Sequence, residues 1–129
     1  MSLGSSVSPT GVSLFKQTEH GLLIFVQKGA VLVAKESQFQ AKLKKKLYAL
    51  FPGCIVMKND PTYVQGIPDL TVLWKDKWAL LECKRESEAR KRPNQEYYVD
   101  LGKQWSFAAF IYPENEEEVL HDLQRAFGA

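Results

Sequence analysis

Glu82 and Lys84 stand two residues apart in the stretch Trp78–Lys84, which reads as a strand. Strand alternation puts Trp78, Leu80, Glu82 and Lys84 on one face, and Ala79, Leu81 and Cys83 on the other. Trp78 to Leu81 is apolar on both faces, as in a buried central strand, yet the far end carries a carboxylate and an ammonium. Removing such charges from water costs several kcal/mol per ion unless they are paired or bound to a metal. One reading is a strand that simply runs out into solvent. The other is a chemical site, and Asp69 favours it. Asp69 follows Gly66-Ile67-Pro68 and opens a second strand, Asp69–Trp74, joined to the first through Lys75-Asp76-Lys77 as an antiparallel hairpin. A turn centred near residue 76 sets Asp69 opposite Cys83, beside Glu82 and Lys84, so two carboxylates and a lysine converge at one end of the hairpin. Carboxylate oxygens suit Mg²⁺ or Mn²⁺, which keep waters and bind substrate phosphates. A charged lysine there orients an attacking water or stabilises charge that builds on a phosphate.

The surrounding chain supplies elements to hold these groups. Leu22–Val26 and Ala30–Ala34 around Gln27-Lys28-Gly29 predict a hairpin within residues 22–34. From Glu36 to Phe51, Phe39, Leu43, Leu47, Leu50 and Phe51 share one helical stripe, with Lys42, Lys44, Lys45 and Lys46 on the other faces. Pro52-Gly53 stops that helix, and Cys54–Met57 is a short strand. Asn94 as N-cap starts a helix carrying Tyr98, Leu101 and Trp105 on one face. Ser106–Tyr112 is an apolar strand, and Asn115 with Glu118 opens a last helix buried through Val119, Leu120, Leu123 and Phe127. After the hairpin the order is helix, three strands, helix, strand, helix.

The 129 residues fit one domain. Residues 1–13, rich in Ser, Gly and Thr, read as a disordered leader or a cloning remnant, leaving 14–129 as the folded domain. A 45% hydrophobic share can build a core, which argues against intrinsic disorder. With 17 Lys+Arg against 15 Asp+Glu, the net charge of +2 excludes a histone-like polycation, so an anionic partner must meet a local patch. Cys54 and Cys83 have neither C-x-x-C nor zinc-finger spacing. The longest apolar stretch, Leu22–Ala34, is too short and polar to span a bilayer and has no secretory cleavage signal. These features predict a soluble cytoplasmic domain with no membrane partner.

Pro68-Asp69, twelve residues, then Glu82-Cys83-Lys84 resembles the PD-(D/E)xK nuclease motif. The longer string Gly66-Ile67-Pro68-Asp69-Leu70, Leu81-Glu82-Cys83-Lys84 and Asn94-Gln95 is similar to the VRR-NUC branch, which includes small stand-alone phage and bacterial members. The resemblance spans residues 36–127 and implies an α/β, restriction-endonuclease-like PD-(D/E)xK core (αβββαβα), here behind an N-terminal β-hairpin. It implies a Mg²⁺- or Mn²⁺-dependent DNA endonuclease. Asp69, Glu82 and the Cys83 carbonyl would be metal ligands, Lys84 the catalytic lysine, and Gln95 a holder of a metal water or phosphate oxygen. The family also has a glutamate on its first helix, and Glu36 is the candidate for catalysis and metal binding. The other reading of Glu36 is a first-turn acid favoured by the helix dipole, or a residue just outside a helix capped by Ser37. The phage-type members further imply branched or four-way-junction DNA, a homodimer, and a bacterial or phage-infected host cell.

Lys84, Arg85, Arg90, Lys91 and Arg92 outnumber Glu86 and Glu88 in the loop beside the site. Such a loop either binds DNA phosphates by releasing counterions or is a solvated face, and its adjacency favours the former. Lys58 reaches the same site or is a solvated strand-end cation. Tyr98, one turn beyond Gln95, is a DNA contact or a core residue. His20 and His121 have no visible partner and read as surface or packing residues. Two other functions stay open at this point: a non-catalytic DNA-binding or assembly module, which would lack a site residue, and an RNA-processing nuclease.

Overall fold

A computed structural model describes residues 12–17 and 23–129, with side chains from Glu36 onward. Its residues fall into two units, Met1–Ser37 and Gln38–Ala129.

In the first unit, β1 (Val12–Gln17) and β2 (Leu23–Gln27) form an antiparallel hairpin, and α1 (Lys28–Leu50) follows at once. This corrects the expected hairpin at 22–34. Ala30–Ala34 is helical, and the strand that pairs with β2 lies before it. A five-residue apolar run carries no period that separates strand from helix. Here it continues without a breaker into a strong helix-forming sequence, and the helix wins. The expected leader is shortened as well, because Val12 and Ser13 belong to β1. Residues 1–11 and His20 lie outside the described residues.

The second unit is built on a four-stranded sheet. Its strands β3 (Ile55–Lys58), β4 (Leu70–Trp74), β5 (Lys77–Cys83) and β6 (Phe107–Ile111) stand in that spatial order. The first two pairings are antiparallel and β5–β6 is parallel. The parallel step needs a crossover, and α2 (Pro93–Trp105) supplies it. The last helix is α3 (Glu116–Phe127). Among the described residues, no helix is long and apolar enough to cross a membrane.

One sheet face presents Leu70, Val72, Ala79, Leu81, Cys83 and Ile111, all buried among Leu43 and Leu47 of α1, Phe51 just beyond it, and Val119, Leu120, Leu123 and Phe127 of α3. Phe51, Trp74 and Phe127 close one end of this core, with ring centroids 5.2–6.2 Å apart. Each fully buried Leu or Phe contributes about 1.5–3 kcal/mol relative to exposure, so this face anchors the sheet.

The other face meets α2. Val99 and Gly102 are its buried residues, whereas Trp105 is 69% exposed. This corrects the expected stripe of Tyr98, Leu101 and Trp105. A Cβ on Gly102 would come within 2.7 Å of Ala108 Cβ and 3.3 Å of Leu80 Cδ1, so the glycine face is the one that allows close approach to the sheet. The helix starts two residues earlier than an Asn94 N-cap predicts, with Arg92 as N-cap and Pro93 at the first helical position.

Candidate active site

Four side chains meet where β4 begins and β5 ends, on the face that α2 covers. The β4–β5 pairing runs from Leu70↔Leu81 to Trp74↔Lys77, so one further step sets Asp69 opposite Glu82. The sequence had predicted Cys83 there. The difference comes from the turn, which has two residues, Lys75 and Asp76, with Lys75 at φ 58°. Register changes faces when it slips by one residue. The shorter turn therefore puts Asp69 on Glu82's side of the sheet and leaves Cys83 on the core side, where it is fully buried.

The two carboxylates are held by each other's strands. Asp69 N–H donates to Glu82 Oε1 over 3.0 Å, and Cys83 N–H donates to Asp69 Oδ2 over 2.9 Å. Glu82 is 2% exposed and Lys84 8%. Lys84 Nζ lies 3.4 Å from Glu82 Oε2 and donates to Gln95 Oε1 over 2.8 Å. Gln95 Nε2 donates in turn to Glu82 Oε2, and Gln95 Oε1 also accepts the Arg92 N–H at 3.1 Å. Gln95 is thus a neutral bridge, its oxygen turned to the ammonium and its amide nitrogen to the carboxylate. As the third residue of α2 it also closes that helix's N-terminus.

Burial pushes the Glu82 carboxyl from its ordinary 4.5 up to about 8, and the negative charge of Asp69 adds to the rise while Lys84 opposes it. Two carboxylates crowded together in this way form a hard, oxygen-only donor pair suited to a divalent cation. Among the described residues no group of three or more His, Cys, Asp and Glu side chains is placed to share a metal. A pair of carboxylates still fits Mg²⁺, which binds through one or two of them and fills its octahedron with water and phosphate oxygens. Glu36 lies in the Met1–Ser37 unit, half-buried and two turns into α1 rather than in its first turn.

Two residues beyond the motif shape this corner. Asn59 N–H donates to the Asp69 carbonyl over 2.8 Å, and Asn59 Nδ2 donates to both Pro68 O and Thr71 Oγ1, each at 2.8 Å. Asn59 therefore clamps both ends of the Pro68–Thr71 segment that presents Asp69. In the sequence, Asn59-Asp60-Pro61 reads only as loop punctuation. The available signal was its place, one residue past a strand that pairs with β4. Gly66 has φ +88°, and a Cβ there would fall 2.2 Å from Asn94 Cβ. The glycine thus lets the Asp69 loop rest directly on the first turn of α2, next to Gln95.

The outer candidates separate. Lys58 pairs with Leu70, which faces the core side, so register directs it away from Asp69 and Glu82 and leaves it a strand-end cation. Lys91 Nζ sits 4.6 Å from the centre of the Phe110 ring, and Phe110 is Glu82's neighbour on β6. The basic loop therefore delivers one cation to the site's own face, while Arg90 and Arg92 are exposed. It is pinned by buried Ala89 and by the Ser87 N–H, which donates to Glu114 Oε2 over 2.9 Å. Arg85 is half-buried with Nε 3.8 Å from Glu86 Oε1. Tyr98 is half-buried, its ring edge-on to Tyr97 at 5.1 Å. His121 is exposed.

No family model matches the sequence, and comparison with curated proteins gives no match either. Among solved structures, one described as a VRR_NUC domain is similar, with a TM-score of 0.56 and 21% identity. The match covers 67% of this chain and 95% of that one. The chain has the nuclease-like α/β fold of a VRR_NUC domain.

Proposed function

We propose that this chain is a VRR-NUC nuclease, a metal-dependent DNA endonuclease that hydrolyses phosphodiester bonds. The observation that carries the reading is the convergence of Asp69, Glu82, Lys84 and Gln95 on one sheet face, linked by hydrogen bonds and an ion pair in a mostly buried corner. A cofactor ion, Mg²⁺ or Mn²⁺, would be held by Asp69, Glu82 and the Cys83 carbonyl and would supply Lewis-acid polarisation of the phosphate and a more acidic bound water. An ammonium has three donors, and Glu82 and Gln95 engage two of those on Lys84. The third serves an incoming oxygen, either the attacking water or a phosphate oxygen that gains charge. Gln95 fixes the direction in which that donor points. Lys91, Arg90 and Arg92 hold the DNA backbone beside the site through charge.

Glu36 is proposed as a further acidic site residue on the strength of the family resemblance. The same resemblance suggests branched or four-way-junction DNA, a homodimer and action in the cytoplasm of a bacterial or phage-infected cell. A binding-only module is disfavoured because Asp69, Glu82 and Lys84 are all present and mutually held.

The test is incubation of purified protein with labelled linear, flapped and four-way DNA, and with RNA of equal length, in Mg²⁺, Mn²⁺ or EDTA. Cleavage of DNA that needs the metal is the expected result. Binding without cleavage in either metal would leave the binding module, and preferential cutting of RNA would move the substrate class.

A further inference from the structure

Tyr63 is 89% exposed, more than any other large hydrophobic residue whose side chain is described. It stands on the connection between β3 and β4, which is held in place at several points. Asp60 Oδ1 accepts the Thr62 N–H at 2.8 Å and the Thr62 hydroxyl at 2.6 Å. Tyr63 and Val64 N–H groups donate to the Asp60 carbonyl, and Ile67 N–H donates to Val64 O. Asn59 ties the two ends together through Pro68 and Asp69, and Gly66 rests on Asn94. A rigid loop thus holds an aromatic ring out in water at the cost of its hydration.

Position says what the ring can meet. Six residues of extended chain reach at most about 20 Å, and this turn-rich segment reaches less, so Tyr63 stands within about six base steps of Asp69. The contact between Gly66 and Asn94 brings the same loop to the start of α2, where Tyr97 is also 60% exposed. The basic segment Arg90–Arg92 leads directly into that helix. Aromatic rings beside cations are the pattern by which proteins hold single-stranded nucleic acid, with bases stacked on the rings and phosphates on the charges.

We propose that Tyr63 stacks on an unpaired base within about six base steps of the scissile phosphate, so that the site takes DNA with an unpaired nucleotide near the cut. This rests on the nuclease reading above. It adds a requirement that a fully paired four-way junction does not meet.

The experiment separates the two. In a Lys84→Ala background, duplexes of one sequence are compared with and without a single unpaired 2-aminopurine at successive positions around the cut. The expected result is quenching of 2-aminopurine and roughly tenfold tighter binding of the unpaired duplex, in line with one base stacked on an aromatic ring. Adding Tyr63→Phe should keep both effects, and Tyr63→Ala should lose both while affinity for fully paired duplex is unchanged. Retained quenching and preference in Tyr63→Ala would overturn the proposal. So would a Tyr63→Ala protein that changes from dimer to monomer by light scattering and loses affinity for every DNA alike, since the ring would then be a contact between copies. If these binding effects appear but Lys84-intact protein cleaves nothing with Mg²⁺ or Mn²⁺, the nuclease reading fails and base stacking stands.

Discussion

The backbone N–H of Asp69 donates to Glu82 Oε1 over 3.0 Å, so the segment that presents one carboxylate also holds the other. Geometry and charge oppose each other at this pair. The fold fixes two groups that repel one another and buries one of them. Asp69→Asn and Glu82→Gln should each abolish metal-dependent cleavage while the protein stays folded. Circular dichroism and a plasmid-nicking assay in Mg²⁺ check this. Full activity of the parent in excess EDTA would remove the metal from the mechanism.

The raised Glu82 carboxyl also fixes a pH dependence of stability. Glu82 holds its proton up to about 8 in the folded state, against an ordinary value of 4.5. Between these values the folded chain binds more protons than the unfolded chain, so metal-free protein loses stability as pH rises through that window. Above it the full penalty is present, and below it none is. Denaturant midpoints in EDTA at roughly pH 5, 7 and 9 should fall in that order, and Glu82→Gln should flatten this part of the slope. A midpoint that rises with pH equally in parent and mutant would show that the burial of Glu82 does not control it.

Gly66 and Gly53 form a natural pair of controls, with φ of +88° and +85°. Alanine at either site costs about 1–3 kcal/mol from backbone strain. Only at Gly66 would the new Cβ also meet a neighbour, Asn94, whereas a Cβ on Gly53 would have no atom beyond its chain neighbours within 4 Å. Gly53→Ala should therefore lower thermal stability and leave cleavage near parental levels well below its melting temperature. Gly66→Ala should lose cleavage as well, because the loop carrying Asp69 is forced off the helix carrying Gln95. Equal activity of the two variants would mean the site tolerates that displacement.

The pair Asp69 and Glu82 was legible in the sequence because chemistry-bearing residues interrupted an apolar strand pattern. The core stripe Leu43, Leu47 and Phe51 was legible for the complementary reason, an uninterrupted helical period. The register between β4 and β5 was not, since a two-residue and a three-residue turn at Lys75–Lys77 look alike until Lys75 takes a positive φ. Ala30–Ala34 failed because a short apolar run fits either period. The buried stripe of α2 was misread because Tyr98 and Trp105 outweigh Gly102 in hydrophobicity, while close packing on Ala108 selects the residue with no side chain. Asn59 escaped notice because its role depends on partners at 68, 69 and 71 that only strand pairing brings near.

Lys84 and Gln95 should differ in how they fail. Lys84→Ala removes the ammonium whose role is in the transition state, so cleavage at saturating DNA should fall by at least about a hundredfold with binding kept. Gln95→Ala leaves Lys84 its pairing with Glu82 but takes away the group that directs it. Its loss of kcat should be smaller, and Gln95→Glu should not restore it, because a third carboxylate would face Glu82. Single-turnover kinetics with titrated DNA affinity checks both. Normal cleavage by Lys84→Ala would reduce the lysine to a counter-ion for Glu82.

The basic loop can be separated from the chemistry by salt. Arg90 and Arg92 are exposed, and Lys91 lies over Phe110 on the site's face, yet none of the three is bonded to Asp69, Glu82 or Lys84 through a side chain. If they hold phosphates, replacing all three with alanine should weaken binding to every DNA sequence alike. The slope of log affinity against log salt should flatten by roughly 0.9 for each duplex phosphate that the variant no longer neutralises. Cleavage at saturating DNA should fall far less than in Lys84→Ala, because mainly ground-state affinity is removed. Unchanged affinity and slope would make the loop a solvated face. Intact binding with abolished cleavage would instead mean that the loop's path sets the start of α2, where the Arg92 backbone N–H, which alanine also has, bonds Gln95 and through it the Lys84 ammonium.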